Sequence, residues 1–301
     1  MTIVELVHYE ERPVPSELKD VASRLWFLEA PRVRRFEKIL PIPFVHLIVN
    51  LSDPYAVYDR SGAPTQVGRA FLSGIQTEYL VIESPTLIRH VGVELLPAAL
   101  GAITDATGPD VANRVRDAPA IVPGLDRFVS EIPFATPADA LDRMTALLLK
   151  RVATSAHRPD PLVLEALSAI DEDPSRPIGS LAPATSPRTL LSRFRHATGL
   201  SPKTYAQVVR FHRLVTTLAA PPPTTTSTTT AIVRAEARAT TSEWSAVAIG
   251  SGFYDQPHVI HAFKRFCGWT PMDYARRVAE FGSDAALFVP LDEVPVSQAS
   301  S

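Results

Sequence analysis

The stretch FRHATGLSPKTYA at residues 194–206 recurs, 69 residues later, as FKRFCGWTPMDYA at residues 263–275. Phe, Gly, Pro, Tyr and Ala occupy the same five places in both copies. A glycine at such a place ends a helix, because it adopts the left-handed conformation at little cost. Ser201 or Thr270 then caps the next helix, and the following proline suits its first turn. The repeat therefore predicts a helix–turn–helix unit that is present twice.

The helix before each glycine follows from the same offset. Ser186 pairs with Asp255, and both are good N-cap residues. Leu190 pairs with Val259, four residues before the phenylalanine, so both should face the core. The positions left exposed are Arg188, Leu191, Ser192 and Arg193 in the first copy, and Gln256, Pro257, His258, His261 and Lys264 in the second.

The first turns of such helices reach base edges when the helix lies in the major groove of DNA. Arginine pairs best with guanine and glutamine with adenine, whereas phosphate contacts position the protein without reading sequence. Residues expected on phosphates are Lys203, Arg210, Arg213, Arg265, Arg276 and Arg277. The predicted DNA-binding set is Arg188, Thr189, Ser192, Arg193, Lys203, Tyr254, Gln256, Pro257, His258, His261, Lys264, Arg265 and Arg276.

The charge distribution agrees with a nucleic-acid partner. The formal net charge of the chain is only −2. Residues 176–277, however, hold 13 Lys and Arg against four acidic residues, a charge of +9, and the remainder carries −11. Such asymmetry is typical of a protein in which one half meets a polyanion. The alternative is a basic surface without a partner.

These residues resemble a known family. The segments RTLLSRFRHATGLSPKTYAQVVR and AVAIGSGFYDQPHVIHAFKRFCGWTPMDYARR, within residues 178–277, resemble the DNA-binding domain of AraC/XylS-type transcription regulators. The motif residues are Gly252, Phe253, Asp255, Gln256, Phe263, Lys264, Arg265, Gly268, Thr270, Pro271 and Tyr274. The amino half resembles the cupin-like sensor domain of such regulators more weakly, through LWFLEAP, ILPIPFVHLIVNL, FLSGIQT and HVGVELLP. The resemblance implies two motifs that read adjacent major grooves, and an upstream domain that senses an effector or dimerises.

The expected fold class is α+β, a small β-barrel followed by an all-α domain. The 301 residues suffice for about two domains. Short strands are predicted at residues 3–9, 25–28, 36–40, 45–51, 55–58, 70–75, 79–82 and 87–95. The predicted layout is a cupin-like domain over 1–154 that ends in a helix, a DNA-binding domain over 161–280 with a loop insertion at 221–241, and a C-terminal tail over 281–301.

Other classes of protein find little support in the sequence. The single cysteine, Cys267, excludes a disulfide framework and fits a reducing compartment. The acidic N-terminus lacks the features of a signal peptide, and apolar runs are too short for a membrane helix, so we expect a cytoplasmic protein without membrane contact. His46 and His90 lack the further ligands of a cupin metal site and are interpreted as strand histidines. No enzymatic constellation, metal or cofactor is expected.

Two hypotheses remain. In the first, the protein is a sequence-specific transcription regulator that binds double-stranded DNA as a homodimer or a monomer, responds to a small-molecule effector, and contacts RNA polymerase if it is an activator. In the second, the β domain binds a small molecule, and the helix–turn–helix half is a degenerate structural or protein-interaction module.

Overall fold

Antiparallel strands dominate the first 117 residues of the computed structural model, which describes residues 7–59, 61–132, 135–219, 253 and 256–295. The strands of this part are β1 (His8–Pro13), β2 (Ala22–Pro31), β3 (Phe36–Ile39), β4 (Val45–Asn50), β5 (Ala56–Tyr58), β6 (Pro64–Gln66), β7 (Ala70–Ser73), β8 (Leu80–Glu83), β9 (Leu87–Leu95) and β10 (Val115–Asp117). An eleventh described strand, β11 (Phe288–Leu291), lies near the end of the chain.

Helices occupy most of the remaining described chain. Three short ones belong to the β domain: α1 (Leu100–Ile103), α2 (Gly108–Val111) and α3 (Leu125–Glu131). The longer helices are α4 (Pro137–Thr154), α5 (Pro161–Glu172), α6 (Pro187–Thr198), α7 (Pro202–Ala219), α8 (Gln256–Phe266) and α9 (Pro271–Phe281). The expected α+β fold class, an antiparallel β domain followed by a helical domain, is therefore confirmed.

The strands form two antiparallel sheets. In the described residues the larger sheet has the order β1-β2-β9-β4-β7-β10, and the smaller sheet has the order β11-β3-β8-β5-β6. One face of the larger sheet packs against α4, with Leu47 and Val93 fully buried. The opposite face meets the smaller sheet, since the Tyr55 ring beside β5 lies 6.2 Å from the rings of both Phe71 and His90.

The C-terminal segment corrects one prediction. A tail was expected over 281–301, but residues 288–291 form β11 and pair antiparallel with β3 of the β domain. The Tyr274 hydroxyl donates a hydrogen bond to the Ala286 carbonyl at 3.1 Å, which ties this segment to α9 as well. The chain thus returns to its first domain after the second motif, and β3 contacts both halves of the protein.

The first strand also differs from its prediction. A strand was expected at residues 3–9; residues 3–6 of that range lie outside the described part, and the described strand, His8–Pro13, extends four residues beyond its predicted end. Its sequence, HYEERP, is polar and largely exposed because β1 lies at the edge of the larger sheet. An edge strand that faces solvent on one side carries few apolar residues, so a hydrophobicity pattern underestimates it.

The expected insertion at 221–241 lies outside the described residues.

Candidate nucleic-acid interface

The two predicted recognition helices are built from equivalent parts. The Ser186 hydroxyl caps α6 by accepting a hydrogen bond from the Thr189 backbone N–H at 3.2 Å. α6 ends at Gly199 with φ +77°, and α8 is followed by Gly268 with φ +74°. A left-handed residue at this place is what the sequence repeat predicts.

Matching aromatic pairs hold each turn together. Phe194 contacts Tyr205 with ring centroids 5.8 Å apart, and the equivalent residues Phe263 and Tyr274 lie 5.4 Å apart. All four rings are buried. The next helix begins in both copies with a capping hydroxyl, because Ser201 accepts from the Thr204 N–H and Thr270 from the Asp273 N–H. The duplicated helix–turn–helix unit is therefore present as a pair of packed turns.

Most predicted DNA-binding side chains are on the surface. Exposed residues of the set are Arg188, Thr189, Ser192, Arg193, Lys203, Pro257, His261, Lys264, Arg265 and Arg276. His258 is half-buried, with its ring 5.3 Å from that of Phe253. Tyr254 and the side chain of Gln256 lie outside the described part of the structure. Within the described chain, no ion pair engages Arg188, Lys203 or Lys264.

Three of the exposed arginines already have protein partners. Arg193 pairs with Asp160 at 3.3 Å, and Arg276 pairs with Asp273 at 3.3 Å. Arg265 donates to the Gln207 side-chain oxygen at 2.9 Å and lies over the Phe266 ring. Exposed pairs of this kind are weak and exchange readily for a phosphate. Their geometry is therefore compatible with the backbone-contacting role expected for Arg265 and Arg276.

Arg193 and Ser192 lie in a different setting from Arg188. They line a cleft of about 580 Å³ between α6 and the β domain. The cleft is also lined by Leu100, Thr104 and Thr107 of the β domain and by Arg158 of the connection between the domains. The structure thus places these two predicted base-reading residues beside the β domain.

The β domain contacts the turn of each copy, which the sequence did not predict. A Cβ added to Gly199 would lie 2.4 Å from the Gly108 carbonyl oxygen of α2. A Cβ added to Gly268 would lie 2.8 Å from the Tyr79 ring. Next to it, the Lys38 ammonium donates a hydrogen bond to the Cys267 carbonyl oxygen at 2.8 Å. No local sequence signal marks Lys38, which looks like an ordinary polar residue of a short strand.

Two histidines of the β domain, His46 and His90, lie on the face of the larger sheet that meets the smaller sheet. His46 Nε2 lies 3.5 Å from Glu94 Oε2, and the His90 ring lies 4.8 Å from the Trp26 ring. Burial lowers the pKa of His90 to about 3, with His46 adding to the effect. The His212 ring of α7 lies 6.4 Å from the Phe44 ring, and burial lowers the pKa of His212. Among the described residues, no group of three His, Cys, Asp or Glu side chains is arranged to hold a metal.

Comparison with known proteins gives one match to a family model and matches to solved structures. Residues 10–117 match the model of a family described as a domain of unknown function, DUF6597. This range begins within β1 and ends with β10. No curated protein sequence matches the chain significantly.

None of the described helices combines the length and apolar character that a membrane span requires.

Two crystal structures of ToxT from Vibrio cholerae are similar to this chain. The first, an apo variant from strain SCE256, has a TM-score of 0.45 and 10% identity, over 88% of this chain and 99% of that chain. The second has a TM-score of 0.42 and 10% identity, over 89% of this chain and 98% of that chain. The DUF6597 match, by contrast, lies within the β domain of this chain.

Proposed function

We propose that the protein is a sequence-specific DNA-binding transcription regulator, with α6 and α8 as its recognition helices. The observation that carries this proposal is the repeated arrangement in which each helix buries one aromatic face against its turn and exposes its first turns. Arg188 of α6 and His261 of α8 are both exposed, and the first turns of both helices carry no acidic residue. Anionic DNA favours such positions because the N-terminal end of a helix also carries partial positive charge.

Selection from a random duplex DNA library with the full-length protein tests this function. A regulator with two recognition helices enriches a site that contains two short conserved sequences (boxes), and footprinting then shows protection of both boxes. Absence of any enriched sequence, with a folded protein, would favour the alternative in which the helical half is a structural or protein-interaction module.

A second part of the proposal concerns the space between the two sheets, for which we propose a small-molecule effector. The two ring nitrogens of His90 are shielded from solvent and have no hydrogen-bond partner among the described residues. Buried polar groups are normally paired, so a ligand group is a reasonable partner here. The Trp26 ring lies 4.8 Å from this ring and nearly perpendicular to it, and the tilted Tyr55 ring lies 6.2 Å away.

The charges of this space favour a neutral or cationic effector. Glu94 accepts from Ser23 and Arg24, and its pKa is lowered to about 2 by its hydrogen bonds from His46 and Ser23, although burial opposes this. It is therefore ionised at neutral pH and, although Arg24 at 3.1 Å offsets part of its charge, it disfavours an anion nearby. Thermal unfolding of the full chain with neutral, cationic and carboxylate aromatic fragments tests this. Stabilisation by neutral or cationic fragments that is lost in His90→Phe supports the site, and stabilisation by carboxylates alone contradicts it.

A further inference from the structure

The turn that follows α8 attaches the second recognition helix to the β domain. Cys267, Gly268 and Trp269 form this turn, and side chains of β3 and of the segment before β8 contact all three. The equivalent turn of the first copy also contacts the β domain, through Gly108 and Gly199. The β domain therefore touches the same place in both copies of the repeat.

Lys38 is at the centre of the second contact. It is only 1% exposed, although it carries a charged group. Its ammonium donates to the Cys267 carbonyl at 2.8 Å and lies 3.6 Å from the Trp269 ring centroid and 4.0 Å from that of Tyr79. Burial lowers the pKa of Lys38 to about 8, which leaves the group mostly protonated at neutral pH.

A buried cation is unusual at a position where a side chain only has to fill space. Removing an ammonium group from water is unfavourable, and an apolar side chain would fill the same space without that penalty. Here the charge lies at the C-terminal end of α8, where the helix dipole favours a cation, and between two aromatic faces, which attract it. These attractions are directional. They are satisfied together only when the turn 267–269 keeps its present position against β3.

The contact between α7 and α8 does not by itself fix the orientation of α8. α7 meets α8 through Phe211, whose ring lies 5.3 Å from that of Phe263 and 4.9 Å from that of Phe266, and through the exposed hydrogen bond from Arg265 to Gln207. Contact between apolar faces is non-directional, so it holds two helices together more strongly than it fixes their angle. The Lys38 contact, on the side of the β domain, adds a second point of attachment. It restrains the orientation of α8 from a side that the contacts with α7 and α9 do not reach.

We propose that Lys38 is a positioning residue for DNA reading, which sets the orientation of α8 relative to α6 through the contact with the turn 267–269. This inference rests on the proposed DNA-binding function. It assigns to the β domain a direct part in deciding which spacing between two half-sites the protein accepts.

The test uses full-length protein and the two-box DNA site obtained by selection with the wild type. Affinity is measured for the selected spacing, for spacings changed by one to five base pairs, and for a single box. Lys38→Met removes the ammonium group and keeps an unbranched apolar chain. Lys19→Met removes an exposed lysine of the same domain and is the matched control. Lys38→Arg restores a cation and tests for rescue.

We expect the wild type and Lys19→Met to lose at least tenfold in affinity when the spacing changes. Lys38→Met should bind all spacings within about threefold of one another and retain the single-box affinity of the wild type. Lys38→Arg should recover part of the spacing preference. A spacing profile of Lys38→Met that is identical to that of the wild type would overturn the proposal. Failure of the wild type to select any DNA would instead refute the DNA-binding function itself.

A second pair of variants covers the case in which Lys38→Met does not fold. Tyr79→Leu removes one of the two rings that face the ammonium, and Tyr79→Phe keeps that ring and removes only the hydroxyl. The proposal requires that Tyr79→Leu binds all spacings with similar affinity and that Tyr79→Phe keeps the wild-type preference for the selected spacing. Equal profiles in both variants contradict it.

Discussion

Gly199 lies against Gly108 so closely that a Cβ on Gly199 would be 2.4 Å from the Gly108 carbonyl oxygen. The same glycine ends α6, the first of the two proposed recognition helices, with φ +77°. Two demands therefore meet at one residue, a left-handed backbone and the absence of a side chain. The first belongs to the helix–turn–helix unit and the second to the contact between the domains.

This relationship predicts the effect of Gly199→Ala on stability. Gly124, with φ +84° and its nearest neighbour 4.0 Å from an added Cβ, is the matched control because only its backbone would be strained. Gly124→Ala should reduce the free energy of unfolding by about 1–2 kcal/mol. Gly199→Ala should lose roughly a further 1–3 kcal/mol through overlap with α2. Urea unfolding measures both, and equal losses would show that the interdomain contact is loose.

His261→Ala should change base preference rather than general affinity. His261 is exposed in the middle of α8, where a side chain reaches base edges in a major groove. The expected loss is about 1–3 kcal/mol at one position of the selected site. Arg276→Ala is the comparison, because a phosphate contact weakens binding to all sequences alike. Anisotropy titrations on single-base variants of the site separate the two patterns. An equal loss of affinity for all variants would show that His261 does not contact a base edge.

Arg188 and Arg193 should differ although both are exposed on α6. Arg188 has no ion-pair partner in the described chain, whereas Arg193 pairs with Asp160 and lines the cleft beside the β domain. We expect Arg188→Ala to weaken specific binding about tenfold or more, and Arg193→Ala to have a smaller effect on DNA. The Arg193 change should alter the free energy of unfolding by no more than about 1 kcal/mol, since exposed ion pairs are weak. A larger loss of DNA affinity for Arg193→Ala would mean that the cleft opens on DNA.

Stability should depend on pH through His90. Its pKa in the folded protein is about 3, below the ordinary value of 6.5, so its contribution to stability is present above pH 6.5 and is lost as the pH falls towards 3. His90→Phe keeps an aromatic ring beside Trp26 and removes the titration. Urea unfolding between pH 7 and 4 should therefore show a flatter pH dependence for His90→Phe, with a difference on the order of a few kcal/mol. The exposed His196, changed in the same way, should leave the wild-type profile, and a parallel decline in His90→Phe would contradict the assignment.

The sequence predicts those parts of the fold that local chemistry determines. The capping hydroxyls of Ser186 and Thr270 and the left-handed glycines 199 and 268 lie where the repeat predicts them. Each of these features depends only on residues within a few positions, so it can be read from a short stretch. The helices that begin at Pro137 and Pro161 were predictable for the same reason.

Contacts between distant parts of the chain were not predictable in this way. β11 pairs with β3, and nothing in the short segment FVPL indicates a partner near residue 36. The burial of Lys38 depends on Cys267, which is 229 residues away. Likewise, the pairing of Arg193 with Asp160 follows from how α6 packs beside the start of α5. The exposure of most candidate DNA-binding residues agrees with the helical pattern, while their roles on DNA stay predictions.

The salt dependence of DNA binding tests the central claim most directly. The full-length protein is titrated onto its selected duplex, and onto an unrelated duplex, at several salt concentrations. A regulator that neutralises phosphates with Lys203, Lys264, Arg265 and Arg276 should bind the selected site more tightly, and log K should fall linearly with log salt by about 0.9 per phosphate contact. Weak binding that is equal on both duplexes and insensitive to salt would contradict the account.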